Sequence, residues 1–123
     1  MDSFRRCLEV SIRKVSMAKI IWRKRPHLLL DTYIGNALEE YGRSTAIKWA
    51  EDIKEMEHRL MKFPTSYTPE KLLFEKKRLF RGCLIMNRRF KVIYTYDDNK
   101  DIVYVMDIWD TRMNPKALIR RIK

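Results

Sequence analysis

Cationic side chains crowd two stretches of this sequence. Residues 70 to 91 carry Lys71, Lys76, Lys77, Arg78, Arg81, Arg88, Arg89 and Lys91 against Glu70 and Glu75. Residues 112 to 123 add Arg112, Lys116, Arg120, Arg121 and Lys123 with no acid. Guanidinium forks match the planar geometry of phosphate and carboxylate, and several in one concave site focus a field on an anion. The chemistry open to such a set is recognition of a polyanion, or stabilisation of charge on a phosphorane. Arg78, Arg81, Lys91 and Arg112 are the candidate target-binding residues of this basic face.

Proton-transfer and nucleophilic groups are sparser. His27 and His58 fall on predicted helices, away from the cationic set. Cys7 and Cys83 stand alone, without a CxxC or a histidine at metal spacing, so neither a metal site nor a cofactor is expected. Cys83 lies in an apolar run and reads as core; lone cysteines fit a reducing cytosol better than a disulfide scaffold. Asp107 and Asp110 flank Trp109, and their spacing suits hydrogen bonds to turn N–H groups. Asp110 is expected to brace Arg112 or to cap Thr111 to Asn114.

These residues need a scaffold, and hydrophobic periodicity supplies one. Residues 18 to 23 form a short β-type run. Pro26 suits the first turn of a helix, and Leu30, Ile34, Ala37, Leu38 and Tyr41 follow helical spacing. Gly42 is a suitable C-terminal cap and Ser44 a cap for a second helix. The apolar face of that helix reads Ala46, Trp49, Ile53, Met56, Leu60 and Phe63. Residues 71 to 77 are ambiguous between a helical turn and an extended lead-in. Arg78 to Met86, Arg89 to Asp97 and Asp101 to Trp109 then read as three strands of an antiparallel meander, with turns at Asn87-Arg88 and Asp98-Asn99. Residues 116 to 123 read as a basic tail that suits one short helix.

The order β-α-α-β-β-β predicts a two-layer α+β fold, with a helical hairpin packed on one face of an antiparallel sheet and the other face open. Which later strand takes the first one is left undetermined. In the central strand, Phe90, Val92, Tyr94 and Tyr96 should meet the helices, which turns Lys91, Ile93 and Thr95 to the open face. Alternation places Arg81 on one face with Cys83 and Ile85, Lys91 lies one strand over, and Arg112 follows the third strand. The expectation is that all three line one groove. Trp49, Tyr94 and Tyr96 read as core; Trp22 and Trp109 fit packing or a partner equally.

Size and charge set the outer limits. The chain has 123 residues, with 27 Lys and Arg against 16 Asp and Glu, a formal net charge of +11 and a pI near 9.9. That length suits one domain, and that excess attracts DNA, RNA, an acidic protein or an anionic surface. No apolar run reaches the roughly 18 residues of a membrane helix, and the N-terminus lacks a signal-peptide core, so a cytoplasmic protein without a membrane partner is expected. Residues 1 to 16 lack a clean period. They read as an extension, disordered or untranslated, before a start at Met17, or else as a short docked helix. Residues 17 to 123 form the domain.

The opening "MAKIIW", the "FP" that closes the second helix, the strand "FKVIY" and the ending "DTRMNP" follow one another in an order that resembles the RelE/ParE superfamily. These are toxins of bacterial type II toxin–antitoxin systems. The likeness spans residues 17 to 118 and is nearest the ParE-type branch, including plasmid-stabilisation proteins. It implies a cognate antitoxin as partner, a toxin–antitoxin hetero-oligomer and growth inhibition. Two targets follow: DNA gyrase for ParE-type members, and mRNA in the ribosome for RelE-type endoribonucleases. Lys91 matches a central-strand arginine of the RelE branch, and Arg112 matches the arginine after the last strand. Beyond Arg112, "MNPKALIRRIK" offers no Tyr, His, Asp or Glu, so the usual C-terminal acid/base is missing. Cleavage by 2′-OH attack needs such a group, so a non-enzymatic ParE-like toxin is the first reading. The RelE-type ribonuclease is the second, and a non-toxic binding module that keeps the fold is the third.

Overall fold

The computed structural model describes residues 17–122 of the chain. The expectations for residues 1 to 16 and Cys7 lie outside that range. Four strands, β1 (Lys19–Trp22), β2 (Arg81–Ile85), β3 (Phe90–Asp97) and β4 (Ile102–Asp110), form one sheet in the order β1-β4-β3-β2. Helices α1 (Lys24–Tyr41) and α2 (Arg43–Lys62) form the hairpin, and α3 (Pro115–Arg121) closes the chain. β2, β3 and β4 make the expected antiparallel meander. β1 joins β4 in parallel, so the sheet is mixed. A parallel partner requires a long crossover, and the helical hairpin begins it.

The first core lies between hairpin and sheet. Ala46, Trp49, Ile53, Met56 and Leu60 of α2 are buried there against Cys83, Val92, Tyr94, Val103 and Ile108. Burying each large apolar side chain contributes about 1.5–3 kcal/mol, so this stripe holds α2 to the sheet. Phe63 departs from the expected stripe: it is 60% exposed. It caps α2 at φ −134°, ψ 72°, off the helical path, so the helical period no longer points it inward. Leu38 and Tyr41 are likewise about half exposed, whereas Ala37 is buried. Gly42, at φ +93°, ends α1 and immediately starts α2. That positive φ favours glycine and replaces Ser44 as the cap. Ser44 falls inside the first turn, where no side-chain cap bond forms.

The second sheet face differs from the open face expected. Leu73, Phe80, Ile93, Trp109, Leu118 and Ile122 make a second buried cluster on it. Ile93 and Trp109 present apolar surface, and α3 places Leu118 one turn before Ile122 to cover it. The ambiguous stretch supplies the other cover, as a 3-10 turn at Lys71–Leu73. A β-bulge makes the α3 contact specific. The pairing steps from Ile93↔Asp107 to Tyr94↔Val105, so Met106 is the extra residue. Val105 and Ile108 can then both join the first core. Asp107 is left to bond Arg121 of α3, Nη2 to Oδ1 at 2.6 Å.

Candidate functional site

β3 outruns β2. Arg81, the first residue of β2, pairs with Tyr94, so Thr95, Tyr96 and Asp97 extend past the edge strand. The expected strand start at Arg78 is therefore three residues early. Residues 68–70 intervene: Glu70 N–H bonds Phe80 O at 2.8 Å, and Gly82 N–H bonds Thr68 O at 3.3 Å. Arg78 and Leu79 swing off the sheet, and Thr95 Oγ1 bonds Leu79 O at 3.1 Å. The resulting notch is a cleft of ≈ 680 Å³. Arg23, Arg78, Arg81 and Lys100 line it with Thr95, Tyr96 and Tyr104, against Asp97 and Asp98.

Each wall has a local cause. Arg81 Nη1 donates to Tyr67 O at 2.7 Å, which fixes its guanidinium. Arg23 follows β1 and lies 5.8 Å from the centre of the Tyr104 ring, a cation–π distance. Asp97 Oδ1 accepts from the backbone N–H groups of Asn99 (3.0 Å) and Lys100 (3.2 Å), so that carboxylate shapes the hairpin turn. Tyr96 donates to Asp101 Oδ1 at 2.6 Å, and that bond to a carboxylate pushes its phenol up to about 12. Burial pushes the Cys83 thiol up to about 12, against thiolate chemistry at neutral pH. Among the described residues no group of three His, Cys, Asp or Glu could hold a metal ion.

Of the four residues assigned to the basic face, Arg78 and Arg81 come together in this cleft. Lys91 and Arg112 do not join them. Lys91 is on the second face, where its Nζ meets Glu70 Oε2 at 2.9 Å. Gly82 leaves the room for this pair: a Cβ there would stand 2.7 Å from Glu70 Oε2. Arg112 lies at the other end of the sheet. Asp110, which precedes it, pairs with Phe90, and Tyr104 of the cleft pairs with Thr95. Five residues of strand, at about 3.3 Å each, put roughly 17 Å between those pairs. The expected brace is present: Asp110 accepts from Arg112 Nε (3.1 Å), Nη2 (2.9 Å) and backbone N–H (3.0 Å). Those bonds hold the Asp110 carboxyl below its ordinary range.

Sequence reading missed Arg23, Lys100 and Tyr104. One signal was available. Tyr104 alternates with Val103 and Val105, which face the hairpin, so it had to face away. The cleft can grip an anion with three guanidinium groups and an ammonium, beside the Tyr104 ring that Arg23 overlies.

No family model matches this sequence, and neither does any curated protein. A chain of the chromosomal ParDE TA system from P. aeruginosa is similar in structure. The TM-score is 0.60 at 16% identity, covering 77% of this chain and 97% of that one. The likeness is one of fold. It agrees with the two-layer architecture read from the order of elements, and at this identity it carries no residue roles. No helix among the described residues is long and apolar enough to cross a membrane.

Proposed function

We propose that the chain is the toxin of a type II toxin–antitoxin pair. It acts in the ParE manner, by binding DNA gyrase or a related nucleic-acid machine rather than by cutting a substrate. One observation carries the reading: a fold shared with a ParDE-system chain bears a cationic notch that the protein's own elements leave uncovered. Arg78 and Arg81 make the target contacts there, with Arg23 and Lys100 beside them. Arg112, with 63% of its side chain exposed, offers a separate contact at the far end of the sheet. Lys91 acts through Glu70, by holding the loop that frames the cleft. An antitoxin with acidic, apolar segments folds over the cationic surface.

Tyr104 supports a second reading. Its phenol supplies a proton-transfer group in the cleft that the C-terminal segment lacks, beside guanidinium groups able to stabilise a phosphorane. Those groups supply two of the three parts of ribosome-dependent mRNA cleavage, an acid for the leaving oxygen and charge stabilisation, and leave the base for the attacking 2′-OH to come from outside this set.

Induction without the neighbouring gene tests both. Growth, the DNA-damage response and mRNA 5′ ends are followed together. A damage response with intact transcripts is the expected result, abolished by Arg78→Ala/Arg81→Ala. Codon-phased mRNA cuts without a damage response overturn it in favour of the ribonuclease. Unimpaired growth indicates a non-toxic binding module.

A further inference from the structure

Residues 70–80 make a closed excursion beside β2. The two ends meet where Glu70 N–H bonds Phe80 O at 2.8 Å. A compact loop with joined ends, packed by its own side chains, is the Ω type, which is often functional. Leu73 and Phe80 point inward and anchor it in the second core. Glu70 ties it to Lys91, and its Oε1 accepts from Leu72 N–H at 3.3 Å. The loop is therefore fixed at both ends and in the middle.

Its outward side chains are unusual for a fixed loop. Phe74 is 64% exposed, Leu79 54% and Leu72 38%. Lys71, Lys77 and Arg78 are exposed among them, with Glu75 the one exposed acid. Three large apolar side chains crowded into one short loop, on a rigid base and rimmed by cations, mark an interaction surface more than chance exposure.

We propose that this loop docks an acidic amphipathic protein segment, with apolar side chains on Leu72 and Phe74 and carboxylates on Lys71 and Lys77. The partner class rests on the toxin–antitoxin reading, and the surface adjoins the cleft, which Arg78 and Leu79 also line, and extends beyond it through Lys71, Leu72, Phe74 and Lys77. Charge complementarity selects an acidic partner. Phe74 is the one π-face among these three side chains, and a single platform beside two leucines suits an apolar protein segment better than successive stacked bases. A membrane-surface anchor wants a long amphipathic helix, and this loop holds a single 3-10 turn.

The test uses the full chain, the protein encoded by the adjacent reading frame, and hydrogen exchange. In the complex, amides 71–79 should exchange at least about tenfold more slowly than in the free chain. Leu72→Ser/Phe74→Ser and Lys71→Glu/Lys77→Glu should each weaken Kd by at least about tenfold, the scale of a lost interface anchor. A complex that leaves loop exchange and both variants' affinities unchanged overturns this inference and leaves the antitoxin reading standing. No complex at all overturns both. Phosphatidylserine vesicles or a single-stranded oligoribonucleotide, bound more tightly than the neighbour's product and released by the Ser variant, would reassign the loop and overturn the protein partner. The exchange experiment needs only the wild-type chain, so it decides even if a variant misfolds.

Discussion

Replacing Arg121 with Met tests whether the C-terminal helix is latched by charge or merely by grease. Asp107 is 1% exposed, and its partner is the Arg121 guanidinium at 2.6 Å. Burial already raises the Asp107 carboxyl above its ordinary 3.8, while Arg121 pulls it back. Met keeps most of the side-chain bulk over Trp109 but leaves the carboxylate buried and unpaired. Breaking a buried pair in this way costs about 3–5 kcal/mol, a large part of the roughly 5–15 kcal/mol that stabilises a domain. The sign with pH follows from linkage. An acid whose folded pKa is raised binds more protons folded than unfolded, so its stability penalty grows as pH rises above 3.8 and relaxes as pH falls. In Arg121→Met the folded value rises further, so the deficit relative to wild type should be full at pH 7 and shrink toward pH 4.5. Urea unfolding followed by tryptophan fluorescence, on both proteins at both pH values, reads that difference. Adding Asp107→Asn to the Met variant should recover about 2 kcal/mol at pH 7, since a neutral amide is cheaper to bury than a carboxylate. A deficit below about 1 kcal/mol that does not vary with pH would refute the latch.

Gly82→Ala should destabilise by about 1 kcal/mol, because its Cβ pushes the end of the Glu70 side chain aside at 2.7 Å and loosens the ion pair with Lys91; a thermal scan should show Tm lower by about 4 °C. Met86, Asn87 and Arg88 all hold left-handed φ, from 54° to 63°. Arg88→Gly should therefore stabilise by about 0.5–1 kcal/mol in denaturant titrations, and Asn87→Gly by less, since Asn tolerates that region. Tyr104→Phe keeps the ring beneath Arg23 and removes the hydroxyl. It should leave a binding toxin's growth inhibition unchanged, whereas a ribonuclease using that phenol would lose about 10²–10⁴-fold in cleavage, read from mRNA 5′ ends.

The two-layer architecture was legible because periodicity reports layers. The α2 stripe and the alternation of β3 each named their buried face from residue types alone. Three things were not legible. The bulge at Met106 shifts the alternation of β4 by one, and nothing in "VYVMDIWD" distinguishes it from regular pleating. The short tail "KALIRRIK" suits one short helix, but its Leu118 and Ile122 gain meaning only once Ile93 and Trp109 are known to offer a surface. The grouping of Arg81, Lys91 and Arg112 failed for a third reason. Clustering in sequence reports neither pairing nor place along a strand: Glu70 claims Lys91 on the second face, and Arg112 follows β4 at the far end of the sheet, away from Arg81.

That division of cations makes a quantitative forecast for the cleft. A polyanion gripped there meets Arg23, Arg78, Arg81 and Lys100, and not Lys91. Four phosphate contacts on a single strand should give a slope of log K against log salt of about −2.8, and Arg78→Ala/Arg81→Ala should halve it to about −1.4. Lys91→Ala should leave the slope near −2.8, because its charge already faces Glu70; a change there would come through loop stability and alter K without altering its salt dependence. Fluorescence anisotropy with a single-stranded oligoribonucleotide, from 50 to 200 mM salt, measures all three proteins. A slope that steepens well beyond four contacts would mean that cations outside the cleft carry the binding. A slope reduced by Lys91→Ala as much as by a cleft arginine would mean that the Glu70 pair opens when the target binds, and the cleft would then have to be redrawn across the second sheet face.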